Sequence, residues 1–522
     1  MFLFLPKMNF SKVYSAQSVG LNAQVIDVET DISKKTLHAF SVVGLPDKAV
    51  EEAKDRISAA VKNSGFTSPK SKNQKIVISL APADVKKEGP LFDLAIALAY
   101  LLASGEVEFD ASKRLFLGEL SLDGRLRPIK GALPLVVMAK NSGFKEIYLP
   151  KANASEAALI DDIKIFGVNT LLEVINHLDI SKNRKSENME MEVQPKTEIV
   201  YGDKECEIDL ADIKGQDSAK RGLLIAAAGG HNVAMYGPPG TGKTMLAKAF
   251  IHLLPKLSFD EILETTSIHS VSGVLHNNLI KYPPLRSPHH TSSYVALVGG
   301  GSFPRPGDVT LAHRGVLFMD EFPLFERRVL ESLRQPLEDK VISISRAKSS
   351  VVFPANFILV AAMNPCPCGN LSSSKKECIC LPGDLVRYQR KLSGPIMDRI
   401  DLWLQVGEVG YSKLLDYSST ERQTPIFSQK VKKARDLQSQ RFASVRIKTN
   451  SDMTAKDFKK YINLSDDIKN TLNQAASSLN LSARAYHKVV KLSRTIADLE
   501  DSLSIKKEHI LEALQYRPKM LN

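Results

Sequence analysis

The strongest chemical signal in the sequence is a glycine-rich segment that fits the pattern G-x-x-x-x-G-K-[ST] at every fixed position. The segment consists of Gly237, Pro238, Pro239, Gly240, Thr241, Gly242, Lys243 and Thr244. Glycines let successive backbone N–H groups face phosphate oxygens, and the following helix directs its positive end to the same place. Lys243 would reach the β- and γ-phosphates of a nucleotide, and the Thr244 hydroxyl would bind Mg²⁺. A glycine-rich turn without a ligand is disfavoured, because all fixed positions match between an apolar strand and a helical run.

Two acidic residues could supply the metal and water chemistry that such a phosphate loop needs. The segment Gly315-Val-Leu-Phe-Met-Asp-Glu321 predicts a buried strand that ends in Asp320 and Glu321. Asp320 would hold Mg²⁺ through water, and Glu321 would polarise the attacking water. The alternative is a pair of acids at the end of a strand without a catalytic role. The phosphate loop that precedes them in the sequence makes this alternative less favoured.

Two further polar residues extend this candidate site. Asn364 follows the apolar run 357–363, so its amide could orient the lytic water or contact the γ-phosphate. Arg399 lies well beyond that strand, too far along the chain to be assigned to its own nucleotide. We therefore expect Arg399 to contact the nucleotide of a neighbouring subunit. The alternative is an arginine at the surface or in a salt bridge.

Four of the five cysteines form one cluster in a loop-like segment: Cys366, Cys368, Cys378 and Cys380. Four thiolates could hold Zn²⁺ tetrahedrally, although the C-x-C spacing is tighter than the usual C-x2–4-C. Reduced free thiols and a regulatory disulfide are the alternatives. One tight cluster indicates metal or redox chemistry more than a disulfide scaffold.

The elements that must position these residues follow from the apolar pattern. Residues 232–236 predict a strand before the phosphate loop, and residues 245–250 a helix after it. The runs 341–345 and 349–353 predict a β-hairpin around the basic residues Arg346 and Lys348.

The chain divides into three predicted domains and two linkers, consistent with its 522 residues at about 150 residues per domain. Residues 1–178 indicate a mixed α/β domain, and residues 207–406 a parallel α/β domain. Residues 430–522 indicate a helical bundle, since apolar residues recur there at helical spacing. The polar segments 179–206 and 407–429 have the composition of linkers.

Composition and charge narrow the class of protein. Hydrophobic residues make up 43% and charged residues 25%, which excludes global disorder. No signal peptide and no membrane span are predicted, so we expect a cytoplasmic protein without a membrane partner. The net charge is +12, and residues 429–522 hold 19 Lys and Arg against 10 Asp and Glu. This basic C-terminal segment indicates an anionic partner.

Taken in order, the phosphate loop, Asp320-Glu321, Asn364 and Arg399 resemble the Walker A, Walker B, sensor 1 and arginine finger of AAA+ ATPases. More specific segments resemble the YifB/ComM family of magnesium-chelatase-like AAA+ proteins, over nearly the whole chain. These segments are Ser287-Pro-His-His-Thr-Ser, Val298-Gly-Gly-Gly, Leu333-Arg-Gln-Pro-Leu-Glu338, Asn364-Pro-Cys-Pro-Cys-Gly and Leu392-Ser-Gly-Pro-Ile-Met-Asp-Arg-Ile-Asp.

The resemblance implies a homo-hexameric ring with ATP and Mg²⁺ bound between subunits. It also implies that Arg484 is the sensor 2 arginine of a C-terminal lid helix, with Arg494 on the same helix as the second choice. In related ATPases a hairpin before sensor 1 points into the pore, which makes Arg346 and Lys348 candidate DNA contacts. An exposed hairpin tip without a partner is the alternative.

The N-terminal domain resembles the S5-like proteolytic domain of Lon, in the ChlI-type form, through the segments 87–93 and 118–131. An ungapped match places Leu91 and Leu133 where the protease has its Ser and Lys. Neither side chain can act as a nucleophile or a base, so we expect this domain to be inactive as a protease. Its predicted role is assembly or partner binding.

Three functions compete on this basis. The leading hypothesis is an ATP-driven DNA translocase or branch-migration helicase that integrates incoming single strands during natural transformation, as the family resemblance implies. The second is a chelatase-like or chaperone-like remodeller of a protein partner, which would use the same ATPase residues. The third, an ATP-dependent protease, is disfavoured by Leu91 and Leu133.

Overall fold

The computed structural model describes residues 9–518 except 182–189, 203–205, 276–278, 302–303, 347–348, 372–375, 411–420 and 446. The chain forms two compact units. The first comprises Met1–Val200 and Leu263–Leu279, and the second comprises Tyr201–Ile262 and Ile280–Asn522. The segment Leu263–Leu279 therefore belongs with the N-terminal residues, which the sequence did not predict. The three-domain division remains a prediction.

The first unit is built on a mixed seven-stranded sheet with an additional two-stranded ribbon. Its strands are β1 (Phe10–Val19), β2 (Asn22–Lys34), β3 (Ala39–Val43), β4 (Gln74–Ala81), β5 (Arg114–Phe116), β6 (Glu119–Leu120), β7 (Leu126–Arg127), β8 (Glu146–Pro150) and β9 (Lys164–Val168). The sheet order is β3-β4-β2-β1-β5-β8-β9, and β6 pairs with β7. The pairs β1–β2 and β2–β4 are antiparallel, and the other described pairs of the large sheet are parallel.

The helices of the first unit follow the apolar pattern of the sequence. They are α1 (Lys48–Asn63), α2 (Asp93–Ser104), α3 (Ala132–Asn141), α4 (Lys151–Ala157) and α5 (Leu171–Leu178). Asp47 caps α1, because its carboxylate accepts the N–H of Val50 at 2.9 Å. Helix α2 is buried along most of its length, as its almost unbroken apolar sequence predicts. The mixed α/β character predicted for this part of the chain is confirmed.

The second unit contains a parallel sheet of five strands. They are β10 (Val233–Tyr236), β11 (Leu285–Arg286), β14 (Val316–Met319), β17 (Ile358–Met363) and β18 (Leu402–Gln405), in the order β11-β14-β17-β10-β18. Two antiparallel ribbons accompany it. They are formed by β12 (Gly299–Gly300) with β13 (Arg305–Pro306), and by β15 (Val341–Arg346) with β16 (Ser349–Pro354). The predicted parallel α/β core and the predicted hairpin are both confirmed.

Helices precede, connect and follow these strands. They are α6 (Asp217–Gly229), α7 (Lys243–Phe250), α8 (Phe259–Ser272), α9 (Tyr294–Val298), α10 (Asp308–Leu311), α11 (Arg327–Ser332), α12 (Arg334–Asp339), α13 (Pro382–Arg390), α14 (Gly394–Met397), α15 (Gln423–Arg441), α16 (Ala455–Tyr461), α17 (Asp466–Ser478), α18 (Ala483–Leu499) and α19 (Lys507–Gln515). The C-terminal helices are confirmed, and they share one apolar core with α6, α7 and the parallel sheet. Among the described helices, none combines the length and hydropathy that a membrane crossing requires.

The two predicted linkers differ in part from the structure. Helix α15 begins at Gln423, inside the segment 407–429, because Asp209 accepts the N–H of Gln423 at 2.9 Å and Thr424 accepts the N–H of Leu210 at 2.9 Å. In the segment 179–206, residues 190–200 form no helix or strand, as predicted, yet they belong to the first unit, where Gln194 and Thr197 donate backbone N–H groups to the carbonyl oxygens of Ile165 and Ala158. Residues 411–420 lie outside the described part of the chain.

Candidate nucleotide site

The phosphate loop, residues 237–244, connects β10 to α7 at the carboxyl edge of the parallel sheet. A Cβ on Gly237 would lie 1.9 Å from the carbonyl oxygen of Val406, so a larger residue does not fit there. Gly240 and Gly242 have φ angles of 76° and 92°, a region that favours glycine. These three glycines are therefore required by the backbone path of the loop.

Lys243 lies inside this loop at the start of α7. Its Nζ donates to the carbonyl oxygens of Gly237 and Pro238, each at 2.8 Å, and lies 3.3 Å from Oδ1 of Asn364. Burial lowers the pKa of Lys243, and the negative charge of Asp320 partly opposes this shift. The structure thus brings the predicted lysine and the predicted sensor amide together.

Thr244 and Asp320 meet at the same edge. The Thr244 hydroxyl donates to Oδ2 of Asp320 at 2.9 Å, and Oδ1 of Asp320 accepts the N–H of Glu321 at 2.9 Å. Hydroxyl and carboxylate oxygens are hard ligands of the kind that Mg²⁺ takes. The pair therefore fits the predicted magnesium site.

Glu321 contacts a histidine that the sequence did not identify as its partner. Nδ1 of His290 lies 3.3 Å from Oε2 of Glu321, which is half exposed. His290 follows β11, so it reaches the acid from a strand adjacent to β14. A cavity of about 400 Å³ lies beside Glu321 and Asn364. The acid thus lies beside His290 and faces a space in which a substrate could lie.

Arg399 and Arg484 converge on one carboxylate, Glu338. The Arg399 guanidinium forms an ion pair with Glu338, and Nη2 of Arg484 lies 3.8 Å from the same carboxylate. Both arginines line a cavity of about 760 Å³, whose described lining contains no residue of the phosphate loop. The two predicted arginines therefore lie close to each other, and neither shares this cavity with Lys243 of the same chain.

Arg494, the second choice for a sensor arginine, has a structural role instead. It is buried, and its Nε and Nη2 atoms donate to the Asp498 carboxylate at 3.1 and 2.9 Å. It also donates to the backbone carbonyl oxygens of Leu503 and Ser502 at 2.9 and 2.6 Å. Its hydrogen-bonding capacity is thus used within the C-terminal helices.

Replacement of Arg494 by alanine is expected to lower the free energy of unfolding by about 3 kcal/mol, because it removes a partner of the buried Asp498 carboxylate. Chemical denaturation would measure this change. The matched control is Arg484→Ala, on the same helix but more than half exposed, which should change stability by less than about 0.5 kcal/mol. Equal stability of the two variants would contradict the assignment.

The four clustered cysteines lie in the loop that follows Asn364. Their Sγ atoms all lie within 4.8 Å of one another, and Cys366 is buried. The Cys366–Cys368, Cys366–Cys378 and Cys368–Cys378 sulfur distances are 3.4, 3.7 and 3.6 Å. The backbone N–H of Asn370 lowers the pKa of Cys368 to about 6, which favours the thiolate. The cluster could therefore hold a metal ion.

The predicted DNA contacts lie at the end of the β15–β16 hairpin. Lys348 falls outside the described residues. Arg346 is the last residue of β15 and pairs with Ser349, but the described part of the structure does not include its side chain. The role of both residues in DNA binding stays a prediction.

Comparison with known proteins places these features in a family. Three magnesium chelatase families match the chain: "Subunit ChlI of Mg-chelatase" over residues 28–153, "Magnesium chelatase, subunit ChlI" over 209–414, and "Magnesium chelatase, subunit ChlI C-terminal" over 421–517. The competence protein ComM of Haemophilus influenzae is 41% identical over 98% of both chains. The chain belongs to the YifB/ComM family.

Other relatives show how far this similarity extends. YifB of Escherichia coli, an uncharacterised protein, is 39% identical over 98% of this chain and 97% of its own. The DNA replication licensing factor Mcm6 of Drosophila melanogaster is 22% identical over 59% of this chain and 37% of its own. Membership of the YifB/ComM family, with its magnesium-chelatase-like AAA+ core, indicates an ATPase.

The sequence analysis of this YifB/ComM-family chain did not predict that three residues lie beside the site: Gln216, His290 and Glu338. Nε2 of Gln216 donates to the carbonyl oxygen of Gly407 at 2.6 Å and lies 3.4 Å from that of Thr241. Gln216 thus links the phosphate loop to the end of the sheet. The segments that contain His290 and Glu338 were recognised as family segments. The amino-acid sequence does not show, however, that His290 lies beside Glu321 or that Glu338 pairs with Arg399.

Proposed function

We propose that this protein is an ATP-hydrolysing motor that acts on DNA as a ring of six copies. The observation that carries the proposal is the convergence of five residues at one edge of a parallel sheet: Lys243, Thr244, Asp320, Glu321 and Asn364. Ligands of open α/β sheets bind at this carboxyl edge. The proposed activity is that of a DNA translocase or branch-migration helicase in recombination and natural transformation, in keeping with the name of the competence protein ComM of Haemophilus influenzae.

In this mechanism the loop N–H groups and Lys243 hold the phosphates of ATP. Thr244 and Asp320 would hold Mg²⁺, which neutralises charge on the phosphate oxygens when bound. Glu321 accepts a proton from the attacking water, and Asn364 orients that water or the γ-phosphate. A neighbouring copy supplies Arg399, and we assign Arg484 to the same interface because both arginines contact Glu338.

DNA is the proposed anionic partner because the C-terminal helices are basic. Helix α16 carries three exposed lysines, Lys456, Lys459 and Lys460, and α15 carries Lys430, Lys432 and Lys433 on its exposed side. Lysines of this kind neutralise backbone phosphates without reading base sequence, so binding should weaken steeply as salt rises. The weak similarity to a replication licensing factor is compatible with this partner.

We expect single-stranded or branched DNA to raise the ATPase rate, and the full-length protein to displace strands on a four-way junction. Charge reversal of Lys456, Lys459 and Lys460 to glutamate should weaken DNA binding about tenfold or more at low salt and leave the DNA-free ATPase rate unchanged. Filter binding and a phosphate-release assay would measure both. No stimulation and no DNA binding at low salt would refute the DNA motor and favour the chelatase-like or chaperone-like remodeller of a protein partner.

We further propose that the four clustered cysteines hold Zn²⁺. A tetrahedral ZnS₄ site with bonds of about 2.3 Å separates its sulfurs by about 3.8 Å, and the three separations among Cys366, Cys368 and Cys378, 3.4–3.7 Å, are close to that value. Protein purified without chelator should contain one zinc per chain by elemental analysis. The control is Cys206→Ser, outside the cluster, which should retain the zinc. Absence of zinc from the unmodified protein would refute this assignment.

A further inference from the structure

The cysteine loop, of which the structure describes residues 365–371 and 376–380, lies beside the candidate nucleotide site. Gly369, with φ of 81°, lies so close to the phosphate loop that a Cβ there would be 2.7 Å from Cδ of Pro239. Cys366 lines the cavity of about 400 Å³ together with Glu321 and Asn364. Cys366 and Gly369 of this loop therefore lie directly beside the predicted ATPase residues.

The loop is also connected to the sensor amide. Asn364 directly precedes the loop, and its side chain lies 3.3 Å from Nζ of Lys243. The backbone carbonyl oxygen of Asn364 accepts a hydrogen bond from the hydroxyl of Tyr388, on α13, at 3.0 Å. Cys366 is only two residues beyond Asn364 in the chain. A displacement of the loop would thus also move Asn364.

Regular secondary structure does not hold this loop in place. Its described residues form no helix or strand between the end of β17 at Met363 and the start of α13 at Pro382. The backbone contacts within it include the N–H of Gly369 to the carbonyl of Cys366 at 3.0 Å and the N–H of Cys368 to Sγ of Cys380 at 3.4 Å. A metal bonded to four sulfurs would cross-link both ends of the loop much more strongly than these bonds.

We propose that metal binding by the cysteine loop sets the nucleotide affinity of this protein. The metal fixes the loop, the loop holds Pro239 and Asn364, and those two residues shape the pocket around the phosphates. The inference rests on the ATP and zinc sites of the proposed function and adds a coupling between them. Coupling between two such sites is typically worth between about fivefold and 150-fold in affinity.

The first experiment measures zinc content and the Kd of a fluorescent ATP analogue on the same full-length protein. Cys378→Ser should lose the zinc and raise the Kd about tenfold, whereas Cys206→Ser should change neither. Extraction of zinc from the unmodified protein with phenanthroline, followed by addition of Zn²⁺, should raise and then restore the Kd. This second arm applies even if Cys378→Ser does not fold.

The second experiment tests the contact without removing a sulfur. Gly369→Ala should keep its zinc and raise the Kd, because a Cβ at this position would collide with Pro239. The matched control is Gly143→Ala, where φ is also positive at 84° and a Cβ would meet no atom within 4 Å. The control should bind zinc and nucleotide as the unmodified protein does.

The outcomes separate the three proposals. Loss of zinc with an unchanged Kd would overturn the coupling and leave the zinc site in place. Absence of zinc from the unmodified protein would overturn both the zinc site and the coupling. Failure of the unmodified, zinc-loaded protein to bind the ATP analogue would overturn the ATPase assignment and, with it, the coupling.

Discussion

Glu321→Gln is expected to bind ATP with unchanged affinity and to hydrolyse it about 10²- to 10⁴-fold more slowly. Glutamine keeps the size of the side chain and its position beside His290, but it cannot accept a proton from the attacking water. The Thr244–Asp320 contact that fits Mg²⁺ does not involve the Glu321 side chain, so nucleotide binding should persist. Single-turnover hydrolysis and the Kd of a fluorescent ATP analogue would measure the two properties separately.

Lys243→Ala is the matched contrast, because it changes the phosphate contact and leaves the acid intact. We expect it to abolish measurable ATP binding, since a buried ammonium inside the loop is replaced by a methyl group. If Glu321→Gln retained full turnover, the water-activating role would belong to another group. If Lys243→Ala bound ATP as tightly as the unmodified protein, the loop would not be the phosphate site.

The site around the phosphate loop could be predicted because its parts are encoded locally. An apolar run predicts a buried strand, and the residue after each strand is fixed by its position in the sequence. In a parallel sheet the carboxyl ends of strands lie at one edge, so Gly237, Asp320 and Asn364 had to approach one another. The observed Lys243–Asn364 and Thr244–Asp320 contacts require only that the strands be neighbours, which the order β14-β17-β10 provides.

The contacts that escaped prediction depend on tertiary packing. His290 reaches Glu321 only because β11 lies beside β14, and no periodicity reports which strands are adjacent. The inclusion of Leu263–Leu279 in the first unit has the same cause. The start of α15 at Gln423 was missed because its partner, Asp209, is more than 200 residues away in the sequence.

Helix α18 illustrates where sequence alone leaves two answers. Arg484 and Arg494 lie on one helix, and both are chemically able to contact a phosphate. Only the structure shows that Arg494 is committed to Asp498, whereas Arg484 is more than half exposed beside Glu338. The burial of Arg494 and the exposure of Arg484 favour Arg484 as the sensor arginine, and that role stays a prediction.

Arg399→Ala is expected to lower ATP turnover about 10³-fold or more while leaving ATP affinity at its own loop unchanged. The arginine lines a cavity whose described lining contains no phosphate-loop residue, so its target should be the nucleotide of a neighbouring copy. Glu338→Gln is the control for local damage, because it disrupts the same Arg399–Glu338 ion pair and keeps the arginine charge. That control should retain most of the turnover.

Mixing two inactive variants tests the assignment to a neighbouring copy. In rings assembled from equal amounts of Arg399→Ala and Lys243→Ala subunits, about a quarter of the interfaces would join an intact loop to an intact arginine. These interfaces should restore ATPase activity that neither variant shows alone. An arginine that acted within its own chain would give no activity on mixing, because each chain would then lack one essential group. Recovery of activity therefore requires both the shared site and the ring.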